Sequence, residues 1–211
     1  TVTNNVWTHV VLTIDTTAAK IYINGGTPAV FTGSNAMAFL TTTRAGIGSY
    51  RYTGQAIGAN GVFYGSIEQA RVYGSVLSAA NVTDIYNNSK PGSLAPIKVA
   101  ADLTTTICNF PTGVTGTALY EFEGDADDSC TVGPYDGIFT NEDYGIGKFG
   151  AQCASFNGST RVIDTTWTLS STTFSASCWV KFSVPTTETI ITTTDDAADA
   201  AFDAAMAGPT D

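Results

Sequence analysis

The sequence predicts an all-β protein, an antiparallel β-sandwich with one short helix. Three observations carry this reading. Apolar and polar residues alternate with period two in one segment after another. Gly (21 residues), Ser, Thr and Asn punctuate the chain between those segments, while charged residues make up only 13%, a composition suited to short strands and tight turns. A content of 43% hydrophobic and 11% aromatic residues in a 211-residue chain is enough to fill a core.

The first segment, WTHVVLTIDTTAAKIYINGG at residues 7–26, reads as strand, turn and strand. Val10, Leu12 and Ile14 alternate with Val11 and Thr13, Ile21 and Ile23 flank Tyr22, and DTTAA reverses the chain between them. Asn24 to Gly26 tolerate positive φ and predict the next reversal. TRAGIGSY and YGSIEQARVYG predict further strands near 43–50 and 64–73. LSAANVTDIYNN then changes period: Ser78 can cap, and Val82, Ile85 and Tyr86 share a helical face, which predicts about two turns of helix. Pro91 and Gly92 end it, and residues 89–116, with Pro96, Pro111 and Gly113, read as a linker or an irregular crossing strand.

The second half restarts with strands at 118–123 (ALYEFE), 135–140 (YDGIFT), 150–158 (GAQCASFNG), 161–164 (RVID) and 174–184 (FSASCWVKFSV). GIGKFG at 145–150 is followed by a strand-like run and no helix, so it reads as a turn and not as a phosphate cradle. The Ala- and Asp-rich end from Ile191 onward lacks an apolar face and reads as a loop or an edge strand. Trp7 and Trp179 are expected in the core.

The charge excludes some partners. Nineteen acidic against nine basic residues give a net charge of -10, a field that repels nucleic acid and anionic membrane surfaces. No apolar run reaches the ~18 residues of a membrane helix, and with no charged-then-apolar leader the chain reads as an excised or mature soluble segment. The four cysteines, Cys108, Cys130, Cys153 and Cys178, fit no zinc spacing. Cys108 and Cys130 lie in turn-rich stretches and are the candidate disulfide, which an oxidising exterior would permit; Cys153 and Cys178 lie in strand-like sequence as candidate buried thiols.

WTHVVLTIDTTAAKIYINGG, RAGIGS and YGSIEQARVYGSVLSAANVTDIYN together resemble the second half of a laminin G-like domain, a jelly roll of the concanavalin A-like lectin/glucanase type. ALYEFEGDADDS, YGIGKFGAQCASFNGS and FSASCWVKF resemble the first half of the same fold. The resemblance therefore implies the two halves in permuted order: residues 1–88 as the C-terminal half, 89–116 as the linker and 117–211 as the N-terminal half. Two closures are open, within one chain or through a neighbouring copy by exchange of strands. The reversed order is what a cut through tandem jelly rolls would produce, and such arrays resemble structural and tail-fibre proteins of bacterial viruses and bacterial surface adhesins.

The function this implies is non-enzymatic: an extracellular, cell-surface or virion-surface module for adhesion and assembly. Other copies or adjacent tandem domains, and a surface glycan, are its partners. A purely structural fibre or coat subunit is the alternative, and a carbohydrate-binding module of a secreted enzyme the third reading. Calcium is the one candidate cofactor, because Asp125, Asp127 and Asp128 place hard oxygens in a tight turn, and the resemblance adds Glu68 near that turn. The competing reading is a solvated acidic turn. Glu121 and Glu123 alternate on one predicted strand, but Gly124 interrupts it and the glucanase motif of this fold is not reproduced. His9, the single histidine, has no identifiable nucleophile to serve and is expected at a strand start. Tyr50, Tyr52, Phe63 and Tyr64 cluster in GSYRYTGQAIGANGVFYG as a candidate glycan rim, since sugar C–H faces pack on aromatic rings.

Overall fold

A computed structural model describes residues 2–32, 44–48, 62–89, 110, 114, 116–130, 135–149, 152–168, 173–183 and 190–193. The opening hairpin comprises β1 (Thr8–Ile14) and β2 (Ala18–Ile23). Asp15 makes its turn: Oδ1 accepts the amides of Thr17 and Ala18 at 2.7 and 2.8 Å, the local bond that lets Asp replace a backbone turn contact. Asn24 and Gly25 take positive φ, and β3 (Ala29–Thr32) returns along β2. β4 (Arg44–Ile47) and β5 (Tyr64–Tyr73) follow.

The helix α1 (Ala79–Asn88) begins where its sequence predicts. Ser78 Oγ accepts the Asn81 amide at 3.2 Å and Asn81 Oδ1 accepts the Ser78 amide at 3.1 Å, a capping box with Asn in the usual place of Glu or Gln. Leu77 and Val82 flank that cap in one buried cluster. The Leu77 amide also donates to Ser175 Oγ at 2.9 Å, fixing the start of the helix to the sheet.

The second half supplies β6 (Gly116–Tyr120), β7 (Gly137–Thr140), β8 (Tyr144–Ile146), β9 (Gln152–Asn157), β10 (Val162–Thr168), β11 (Phe174–Phe182) and β12 (Ile191–Thr193). Two elements depart from expectation and a third takes one of its two expected forms. β6 ends at Tyr120, because Phe122 adopts φ 62° and is fully buried. Part of the expected turn at 145–150 is β8, which pairs with β9. The chain from Ile191 opens with an edge strand, β12, against β4.

The larger sheet runs β3-β2-β1-β11-β5-β9-β8, with β6 also on β5; the smaller runs β12-β4-β10-β7. β5 bridges two neighbours on one side. It pairs with β9 at Tyr64–Ile67 and with β6 at Ala70–Tyr73, and Gln69 takes φ 51° where one gives way to the other, a bulge that lets a strand change partners. The opening hairpin completes its sheet within the chain: β1 pairs with β11 from Thr8↔Val180 to Ile14↔Phe174, and β11 pairs with β5. β4 likewise joins β10 and β12. The halves interleave in both sheets.

One core fills the sandwich. Val10, Leu12 and Ile14 meet Phe156, Ile163, Phe174 and Val180 there. The other face of the larger sheet is covered too, as α1 lays Val82 and Ile85 on Val11, Tyr22 and Tyr73. Cover on both faces explains why every residue of β1 is buried despite its alternating pattern. Trp179 is buried as expected, but Trp7 is only partly so and has the Lys181 ammonium 5.1 Å from its ring; Trp167 takes the core place instead. No helix among the described residues is long and apolar enough to cross a membrane.

Candidate functional site

The expected calcium residues separate into two places with different work. Glu68 lies on β5 opposite Trp179 and is fully buried. Its Oε1 accepts the Phe149 amide at 3.0 Å and its Oε2 accepts the Lys148 amide, so this carboxylate closes the turn after β8. Above it the Lys148 ammonium stands 4.1 Å from the Trp179 ring centre. That geometry suits a cation–π contact.

The acidic turn is organised from within. Asp128 Oδ1 accepts the amides of Leu119 and Cys130, each at 2.9 Å, and Oδ2 accepts that of Tyr135 at 3.3 Å. Burial pushes the Asp128 carboxyl upward against the pull of these three bonds. Asp125 accepts the Asp127 amide at 3.3 Å, and Asp136 accepts that of Asp128 at 3.1 Å. Among the described residues no group of three or more His, Cys, Asp and Glu side chains is arranged to hold a metal ion.

Asp127 is exposed in this turn, and its carboxyl is pushed up first by lost hydration and then by the charges of Asp125 and Asp136. A raised pKa means that folding disfavours the carboxylate, so ionisation costs stability as pH rises through the acid range. Asp127→Asn is therefore expected to raise the melting temperature at neutral pH in chelator. The calcium reading requires the opposite sign in calcium buffer, and scanning calorimetry of both proteins in the two buffers decides it.

Glu121 and Glu123 do not form a catalytic pair on a strand, because β6 has ended before them and the left-handed Phe122 lies between. Glu121 accepts the Ser129 hydroxyl at 3.0 Å and Glu123 accepts the Gln152 amide at 3.1 Å. Both carboxylates tie loops to strands. His9 is the second residue of β1, fully buried between Trp179 and Tyr86 with ring centroids at 5.2 and 5.8 Å. Burial, helped by the Arg71 charge, lowers its pKa to about 3. It is a neutral ring at physiological pH.

Of the aromatic rim, Tyr64 is 42% exposed at the start of β5. Phe63 is not part of a rim: it is fully buried, edge-on to Phe156 and Phe182 at 5.8 and 5.3 Å. Tyr50 and Tyr52 lie outside the described residues. Cys130 is disulfide-bonded, and its expected partner Cys108 lies outside the described residues. Cys153 and Cys178 are buried free thiols; burial pushes both up, Cys178 to about 12.

Sequence reasoning missed the sandwich edges. β7 and β8 are each paired on one side only among the described residues, and the short turn between them joins an edge of the smaller sheet to an edge of the larger. Ile138 on β7 is 66% exposed and Ile146 on β8 is 86% exposed. At the opposite edge of the larger sheet, β3 exposes Val30 and Phe31. The isoleucines in GIFT and YGI were legible as apolar, but pairing alone leaves them uncovered.

Residues 1–83 match the Laminin_G_3 family model, described as the concanavalin A-like lectin/glucanases superfamily. No curated protein and no solved structure matches the chain. The match covers β1 to β5 and enters α1. The remaining strands complete the same all-β sandwich.

Proposed function

We propose that this laminin G-like sandwich is a non-enzymatic module for adhesion and assembly at an extracellular, cell or virion surface. The observation that carries the reading is the side of the sandwich formed by β7 and β8, where Ile138 and Ile146 stand exposed on strands that pair on one side only among the described residues. Edges with free backbone groups and apolar side chains recruit further strands. A contact between unlike edges, β8 of one copy on β3 of the next, does not close on itself and builds a line of copies. A charge on such an edge blocks the approach.

Light scattering is expected to show concentration-dependent association of the parent protein and a monomer for the Ile138→Lys/Ile146→Lys variant. A parent that stays monomeric over a wide concentration range contradicts assembly through these edges. Tyr64 favours an added glycan contact over a purely structural subunit, since its ring is open to solvent at one end of β5. On a glycan array, binding by the parent that is lost in Tyr64→Ala supports adhesion; no binding by the parent leaves the structural subunit as the reading.

A further inference from the structure

The helix stops short of one end of the sheet face it covers. α1 lies over Val11, Tyr22 and Tyr73, its Tyr86 stacks on His9, and Ser89 at its end accepts the Trp179 indole at 3.1 Å. The next row of that face lies past the helix end. There Lys181 opposes Ser66, and Ser66 opposes Ser155. The Asn5 amide donates to the Phe182 carbonyl at 2.7 Å, so the chain before β1 stays beside β11 and brings the half-buried Trp7 ring centre to 5.1 Å from the Lys181 ammonium. Tyr64, 42% exposed, stands two residues before Ser66 and so shares its face. It is the diagonal neighbour of Lys181, at about 7–8 Å in such a sheet.

The cations on this side differ in how they are engaged. Lys148 is tied by its amide to the buried Glu68 carboxylate and lays its ammonium over Trp179. Arg161 pairs with Asp143 at 2.7 Å and reaches Ser155 Oγ at 3.4 Å. Lys181 is the surplus charge: among the described residues its ammonium makes no ion pair and no hydrogen bond, and it is open to solvent.

An unpaired ammonium between two open rings suits a sugar that carries an acid. Its C–H face packs on a ring, its carboxylate takes a charge-assisted bond from the ammonium, and its hydroxyls meet the neighbouring serines. The net charge of -10 narrows the occupant further. Such a field repels a polyanion as a whole. A single carboxylate in contact with Lys181 responds mainly to charges within a Debye length of about 8 Å. One acid group on an otherwise neutral glycan meets both conditions.

We propose that this uncovered row binds the tip of a glycan whose terminal sugar carries one carboxylate, with Trp7 and Tyr64 as platforms and Lys181 as the partner of the acid. The site rests on the glycan contact read from Tyr64 and adds to it the class of sugar and the residues that select it.

The test is binding at physiological salt to immobilised sialyllactose and glucuronyl-lactose, to the methyl esters of both, to lactose and to heparin. The parent is expected to hold at least one of the acids about tenfold more tightly than its ester, and heparin no more tightly than that acid. Lys181→Met is expected to bind acid and ester alike, and Lys181→Arg to restore the preference. Trp7→Ala is expected to weaken acid and ester by the same factor, because it removes a platform and keeps the charge. Equal binding of acid and ester by the parent, a preference that survives in Lys181→Met, or tighter binding of heparin overturns the acidic-sugar site and leaves the glycan contact standing. A parent that ignores all these probes yet holds a neutral glycan on an array has the same meaning. A parent that binds no glycan at all overturns both.

Discussion

Gly48→Ala is expected to destabilise the protein by about 2–4 kcal/mol, read as a lower urea midpoint with an unchanged slope. Gly48 follows β4 at φ 74°, which an alanine adopts only with strain. The added Cβ would also lie 2.0 Å from Phe156 Cε1, inside a buried ring. Neither problem can relax easily. The Gly48 amide donates to the Ile190 carbonyl at 2.8 Å, and its carbonyl accepts the Phe63 amide at 2.9 Å.

Phe156→Leu in the same chain is expected to recover part of the loss, because it removes the overlap and leaves the backbone strain. The two substitutions then cost less together than their separate sum. This result bears on how the sandwich closes, since Gly48 and Phe156 are far apart in the sequence and touch only when β4 and β9 belong to one sandwich. A midpoint that does not move in Gly48→Ala denies that contact.

The second large effect is acid sensitivity centred on His9. Its folded pKa of about 3 lies below the ordinary 6.5, so the fold holds the neutral ring. Stability from this group is complete above pH 6.5 and is lost as pH falls towards 3, because the unfolded chain takes up a proton that the folded chain refuses. At 1.36 kcal/mol for each pH unit of that gap, the loss reaches about 4–5 kcal/mol. Protonation would place a second cation beside Arg71, against the rings of Trp179 and Tyr86.

His9→Phe is expected to abolish this limb, since neither ring nitrogen has a protein partner to lose. Unfolding free energies of parent and variant between pH 7 and 4 give the comparison. The carboxylates titrate in both proteins and cancel in the difference. Parallel curves would mean that His9 is already charged, or already exposed, in the native state.

Local pattern was enough to place the hairpin of β1 and β2, the Ser78 cap and the core strand β11, because alternation and capping act over a few residues. It was not enough at 118–123, where alternation continued on paper through Glu123. The buried ring of Phe122 in a left-handed conformation ends the strand three residues earlier, and burial of a ring is a tertiary gain. The edge strands β3 and β8 escaped for the opposite reason. Four and three residues carry too little pattern to be read alone, and their strand geometry comes from the neighbours β2 and β9.

The candidate site shows the same division. Asp125, Asp127 and Asp128 stand close in sequence and share one turn, as their spacing implies. Glu68, remote in sequence, is drawn to the amides of Lys148 and Phe149 by the pairing of β5 with β11 and β9. The sequence by itself determined most of the longer strands, the helix cap and the acidic field, all consequences of composition and short-range periodicity. Tertiary structure alone decided that β1 meets β11, that Tyr86 of α1 covers His9, and that Ile138 and Ile146 face solvent. Strand pairing and burial depend on residues far apart in the chain, and that is the physical reason they are decided only when the sandwich closes.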